Sequence, residues 1–346
     1  MGAILSGVKS NITCSYSKVV NEKETKNSKL SQKLQLKNTF FPFNGWESLP
    51  KERQVCADNG KKWMMEHMKG SYGLMETDDG RKIETMYIPH ENATNKVAIL
   101  HHNNGMTLGM MEFYAEYFNT LGFNVLLCTM GGYPGSEGDT SETTCYFDVK
   151  AMYDAAQTVQ RDQPDGQNND KILFVGVSMG GALAAIGGSE FPGTHVLANV
   201  PFASVEDVAS SYLRWVPKIM VNGLVDSVFP TGIKAGAYIT DGFNILEKVK
   251  RIEGGYFAVQ AGKDTMIPAD SGKKLANSYA ISHQKKPEDH YAVMEGKTHN
   301  DNFLKLGNRE FDKPVRLRVE RFLASVGLID IREEDKFEIA KLGAKV

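Results

Sequence analysis

Residues 171–188 read KILFVGVSMGGALAAIGG. The first half, Ile172–Val177, is a short apolar run of the kind shown by a strand buried on both faces. The second half is a run of small residues, and Gly181, Ala182, Ala184 and Ala185 would let a helix lie close to a sheet. Between them stands Gly176-Val177-Ser178-Met179-Gly180, a G-x-S-x-G turn. A strand that turns this sharply into a helix leaves no room for side chains two places before and two after the serine. Gly176 and Gly180 meet that need. Ser178 is carried to the N-terminus of a helix, where backbone N–H groups and the helix dipole favour developing negative charge. Ser178 is the candidate nucleophile, and the N–H of Met179 is a candidate oxyanion donor. G-x-S-x-G alone is a cheap pattern, and the strand–turn–helix context is what gives it weight.

A serine hydroxyl is a weak nucleophile that needs a base, and the base needs an orienting carboxylate. After this kind of turn the order along the chain is Ser, then acid, then His. The chain offers Asp264 in Ala261-Gly262-Lys263-Asp264-Thr265-Met266-Ile267-Pro268, just past an apolar run at Gly255–Ala261. Pro268 is expected to open the next helix. His299 follows the run His290–Glu295 in Glu295-Gly296-Lys297-Thr298-His299. Each has a bland reading: Asp264 as a helix cap, His299 as a surface loop histidine. Asp301 and Asp241 are rival carboxylates, while His283 and His290 precede a strand and so fall at its wrong end.

The same alternation extends outward. Strands are expected at Lys82–Ile88, Lys96–His101, Asn124–Met130, Ile172–Val177, His195–Val200, Gly255–Ala261 and His290–Glu295. Helices are expected near Leu108–Leu121, Cys145–Arg161, Met179–Gly188, Asp270–Ala280 and Phe311–Val326. This predicts an α/β fold, a mostly parallel central sheet with helices on both faces and functional residues just past the strand ends. About fifty residues separate Val200 from Gly255, longer than an ordinary crossover, and residues 201–254 are expected to form a small helical cap. The expected division is a flexible lead (1–40), an N-terminal helical extension (41–71), the main domain (72–330) and a C-terminal tail (331–346).

The stretch from Val97 contains His101-His102-Asn103-Asn104-Gly105 before a helix near Leu108. Such a glycine-bearing first strand–helix loop can supply the second oxyanion donor. A metal site for the histidine pair is disfavoured, because neighbours in a strand point apart. His-Asn-Asn-Gly-Met-Thr-Leu-Gly resembles the H-G-N-A-x-x-L-G loop of one group of α/β-hydrolases, the acyl-lipid hydrolases and protein depalmitoylases. Gly132-Tyr133-Pro134-Gly135-Ser136-Glu137-Gly138 resembles that group's G-Y-G-x-S-x-G turn. With the elbow, Gly262-Lys263-Asp264 and Gly296 with His299, the resemblance covers about residues 72–327. It implies the α/β-hydrolase fold. Asn103 and Pro134 stand where the group has glycine. The oxyanion donor from this loop is therefore expected to be the backbone of Asn104, with Asn103 as the alternative.

The rest of the chain narrows the class. Of 346 residues, 40 are Lys or Arg and 42 are Asp or Glu, so charge balance gives no sign of a nucleic-acid partner. The four cysteines, Cys14, Cys56, Cys128 and Cys145, show no zinc spacing and suggest a reducing compartment. No apolar run reaches the roughly 18–20 residues of a membrane span. The start MGAILS matches M-G-x-x-x-[ST], which makes Gly2 a candidate myristoylation site and Cys14 a candidate for a second acyl chain. The expected place is the cytoplasm, with peripheral membrane contact if the start is acylated. Delivery into a host cell by an intracellular bacterium is one setting in which that motif would be read.

Together these readings predict a serine hydrolase that cleaves an ester or thioester of a small or lipid acyl substrate through an acyl-enzyme, with no cofactor. Apolar residues in the expected cap (Tyr212, Leu213, Trp215, Ile219 and Met220) would suit an acyl chain. The alternatives are a small-peptide serine peptidase, a lyase on the same fold, and an inactive hydrolase-like binding protein.

Overall fold

The computed structural model describes residues 51–204, 207–208, 243–306 and 309–343. Gly2, Cys14, Asp241, the cap residues Tyr212, Leu213, Trp215, Ile219 and Met220, and most of the expected cap lie outside them.

Eight strands form one sheet in the order β1-β2-β4-β3-β5-β6-β7-β8. They are β1 (Ser71–Glu76), β2 (Lys82–Ile88), β3 (Val97–His101), β4 (Asn124–Cys128), β5 (Ile172–Val177), β6 (His195–Asn199), β7 (Tyr256–Ala261) and β8 (Tyr291–Met294). β1 and β2 run antiparallel; from β4 to β8 every neighbour is parallel. The helices are α1 (Lys51–His67), α2 (Glu112–Thr120), α3 (Glu142–Arg161), α4 (Met179–Glu190), α5 (Ile245–Val249), α6 (Ser271–Ser282), α7 (Lys313–Ser325) and α8 (Glu333–Gly343). A two-stranded ribbon, β9 (Lys305–Leu306) with β10 (Arg309–Glu310), precedes α7.

Helices cover both faces, so β3 to β7 are buried at every residue, which is why their sequences are runs rather than alternations. On one face the core is built from α3, α4, α5 and α6, with Val149, Met152, Leu183, Val249 and Tyr279. On the other it is built from α1, α2 and α7, with Met64, Tyr117, Phe118, Val319 and Phe322. The chain leaves β3 toward the α2 face and leaves β5 toward the α4 face. The crevice between the carboxyl ends of β3 and β5 is therefore a topological switch point, where α/β sheets bind ligands.

Several elements differ from the sequence expectation. β1 at Ser71–Glu76 was not predicted as a strand, because its exposed edge carries polar residues and a glycine. Pro268 does not open a helix: α6 begins at Ser271, and the Pro268 carbonyl accepts from the Ser271 N–H in a turn just before it. The stretch expected as a tail contains α8, whose first turn is acidic, as suits a helix N-terminus. Its Asp335 is buried against Arg316, itself only 1% exposed. Arg316 Nη1 donates to Asp335 Oδ2 (2.9 Å) and Glu320 Oε2 (2.8 Å), and Nη2 donates to Asp335 Oδ1 (3.2 Å). Removing one partner of such a buried pair costs about 3–5 kcal/mol.

Candidate active site

Ser178 ends the turn between β5 and α4 with φ +54° and ψ −112°, in a region that side chains rarely adopt. Such strain costs about 1–3 kcal/mol and persists where the surroundings enforce it. Here the enforcement is backbone on backbone. A Cβ on Gly176 would lie 1.9 Å from the Gly180 carbonyl oxygen, and one on Gly180 would lie 2.1 Å from that of His101. The Ser178 N–H donates to the Asn199 carbonyl at 2.8 Å, tying the turn to the end of β6.

Asp264 and His299 come from the loops after β7 and β8. His299 Nε2 lies 3.0 Å from Ser178 Oγ, and His299 Nδ1 lies 2.7 Å from Asp264 Oδ2. With the carboxylate ionised, Nδ1–H donates to Asp264, which leaves Nε2 as acceptor for the serine hydroxyl. Ser178 and His299 are each 7% exposed, and the Asp264 side chain is fully buried. Asp264 accepts four hydrogen bonds. Besides His299, Gln260 Nε2 donates to Oδ2 (3.2 Å), and the N–H groups of Met266 and Ile267 donate to Oδ1 (2.9 Å each). Every lone-pair direction is thus engaged, and the carboxylate faces the imidazole in one orientation.

Asp301 does not join this chain. Its Oδ2 accepts from Thr298 N–H (2.7 Å) and Thr298 Oγ (2.9 Å), and the backbone bond above all holds its carboxyl below the usual range. It shapes the His299 turn. His290 donates to the Tyr256 carbonyl and His283 to that of Tyr279, both away from Ser178.

The loop after β3 faces the elbow, since Gly180 packs against the carbonyls of His101 and His102. The two histidines diverge. His101 stacks on Phe174, and burial, then the nearby His102, drives its pKa down to about 3. His102 is pushed down to about 4 by burial. Its Nε2 accepts from Met130 N–H (3.0 Å), so Nδ1 carries the proton and donates to the Asn103 carbonyl (2.7 Å). That carbonyl also accepts from the N–H groups of Gly105 and Met106. Three donors on one side of a planar trans peptide direct the Asn104 N–H to the opposite side. The Asn104 side chain is held by Tyr133 OH, which donates to Oδ1 at 2.6 Å. Among the described residues, nothing accepts the N–H groups of Asn103, Asn104 or Met179.

Sequence reading missed His102, Tyr133 and Gln260 as supports. Gln260 had left a signal, as the one amide in the apolar strand Tyr256–Ala261. His102 and Tyr133 had none beyond their place in glycine-bearing loops.

The fold is that of the α/β-hydrolases. No family model matches the chain. It is 25% identical over 257 residues to an uncharacterised protein of Mycobacterium tuberculosis, covering 74% of this chain and 80% of that one. Among solved structures it superposes on an α/β-hydrolase from Vibrio vulnificus with a TM-score of 0.56 and 16% identity, over 87% of this chain and 94% of the other. An esterase of Pyrococcus furiosus gives 0.53 at 15% identity over 76% and 93%. Esterase 2 of Thermogutta terrifontis gives 0.53 at 13% over 76% and 97%.

Proposed function

We propose that this chain is a serine hydrolase that cleaves a carboxylic ester or thioester through an acyl-enzyme. The observation that carries the reading is the unbroken Ser178–His299–Asp264 chain, with links of 3.0 and 2.7 Å, at the switch point of the sheet. Ser178 Oγ attacks the carbonyl carbon while His299 Nε2 takes its proton, and Asp264 stabilises the imidazolium so formed. The N–H groups of Met179 and Asn104 hold the tetrahedral oxyanion. Its collapse expels the alcohol or thiol, which takes the proton from His299. Water then attacks the acyl-enzyme by the same steps and frees the acid. The esterases among the structural neighbours support ester substrates; they share the fold at low identity.

In this proposal residues 72–330 are the hydrolase domain, residues 201–254 cover the acyl group, and acylation at Gly2 and Cys14 would bring the enzyme to a membrane. The test is labelling by a fluorophosphonate, together with hydrolysis of p-nitrophenyl esters of graded chain length. Labelling lost in Ser178→Ala and His299→Ala, with saturable ester turnover by the native chain, is the expected result. Folded protein that neither labels nor hydrolyses would move the reading to a binding protein on a hydrolase scaffold. Amides outrunning matched esters would make it a peptidase.

A further inference from the structure

Helix α1 precedes the sheet and supplies none of the Ser–His–Asp residues, yet it grips the loop that faces the elbow. Arg53 Nη1 donates to the Gly105 carbonyl at 2.8 Å. A Cβ on Gly60 would lie 1.8 Å from the Gly109 carbonyl oxygen, and a Cβ on Gly109 would lie 2.1 Å from that of Ala57. Here helix and loop meet backbone to backbone. A glycine inside a helix costs about 1 kcal/mol relative to alanine, and this contact is the physical reason for Gly60. The next residue, Lys61, reaches the buried Glu84 Oε1 with its Nζ at 3.1 Å. Glu84 Oε2 accepts from Thr129 Oγ (2.6 Å), and Thr129 Oγ in turn accepts from the Leu108 N–H (3.0 Å). The loop is thus held by α1 directly at positions 105 and 109, and at 108 through Glu84 and Thr129.

We propose that α1 is a positioning element of the oxyanion hole, with Arg53 and Gly60 fixing the Asn103–Gly105 segment against the elbow. The proposal rests on the hydrolase reading above. The elbow is locked by its own glycines, so the distance between the Met179 and Asn104 N–H groups is set by whatever locates the loop. Neither Arg53 nor Gly60 meets the reacting atoms; each acts through the loop.

The experiment uses the full chain and its best p-nitrophenyl ester, with Arg53→Ala, Arg53→Lys and Gly60→Ala. It reads kcat, KM, inhibition by an aryl trifluoromethyl ketone, and hydrogen exchange of the peptide spanning residues 102–111. The ketone adds to the serine and places a full oxyanion in the hole. A loop displaced by a fraction of an ångström costs roughly tenfold in kcat, within the about hundredfold known for larger misplacements. The expected result for Arg53→Ala is that fall in kcat with KM changed less than about twofold, an equal loss of ketone affinity and faster exchange, with partial rescue by Arg53→Lys. If Gly60→Ala does not fold, the two Arg53 variants carry the test. An active native chain whose Arg53→Ala variant keeps full kcat, ketone affinity and slow exchange overturns the proposal. A native chain that hydrolyses nothing, while its loop still loosens in Arg53→Ala, overturns the hydrolase reading and supports α1 as the holder of the loop.

Discussion

The two loops that face each other across the crevice are held in opposite ways. The elbow after β5 is locked by close backbone contacts at its own two glycines. Gly176 meets Gly180, and Gly180 meets the end of the adjacent strand. The loop after β3 is located by groups scattered along the chain: Arg53, Met130, Tyr133, and Glu84 through Thr129. A local lock is rigid and intolerant, because any change that breaks it breaks the turn. A distributed lock can be loosened one hydrogen bond at a time. If Ser178 is the nucleophile, such loosening should appear as graded losses of rate.

The largest expected effect tests whether the elbow is catalytic at all. Ser178→Ala should lower kcat/KM by about 10⁴ or more while leaving the melting temperature near that of the native chain. Next, Gly180→Ala should injure fold and rate together. Its methyl group meets the His101 carbonyl, so we expect about 1–3 kcal/mol of destabilisation in urea and at least about a hundredfold loss of kcat. Tyr133→Phe probes the other loop. It removes one hydrogen bond to Asn104, worth about 0.5–1.5 kcal/mol, so stability should fall by no more than that while kcat falls about three- to tenfold. A Tyr133→Phe variant that unfolds, or a Gly180→Ala variant with native activity, would erase the contrast between the loops.

The smallest effect is on pH. His101 and His102 are held neutral in the folded chain, with pKa values near 3 and 4 against an ordinary 6.5. The unfolded chain therefore binds more protons below about pH 6.5. Their contribution to stability is complete above that value and is lost as pH falls through it toward about 4 for His102 and about 3 for His101. Asp148 has the opposite sign: burial raises its pKa to about 6, so it is least favourable at neutral pH and is relieved on acidification. His195, His290 and Asp301 are lowered as well, and Glu112 and Asp154 are raised, so five groups against three leave a net loss toward acid. Urea midpoints at about pH 7, 5.5 and 4.5 should fall in that order, and His101→Phe should flatten the slope. An unchanged slope in that variant would mean that His101 is not the buried neutral group described here.

The same contrast explains what could be read from the sequence. The elbow was legible because the residues that form its turn, Gly176 to Gly181, are consecutive in the sequence. Asp264 and His299 were legible because each follows an apolar strand in the right order. The supports of the β3 loop were not: nothing near Arg53 or Gly60 in the sequence points to Gly105 or Gly109, which lie about fifty residues further on. The strands were found within one or two residues where both faces are buried. β1 escaped because an exposed edge strand need not carry an apolar pattern, and α8 because its determining contact, Asp335 with Arg316, spans two helices.

That contact also bears on how the chain is made. Synthesis runs from the amino end, so the Arg316 guanidinium leaves the ribosome with Glu320 close behind but with Asp335 still to come. Until Asp335 emerges, Glu320 alone matches the Arg316 charge, and the two hydrogen bonds that the guanidinium gives to Asp335 lack that acceptor. The α7 face of the sheet therefore reaches its final hydrogen-bonded form only once α8 has been made, and a chain truncated before Asp335 would leave the Arg316 guanidinium buried with one of its two carboxylate partners.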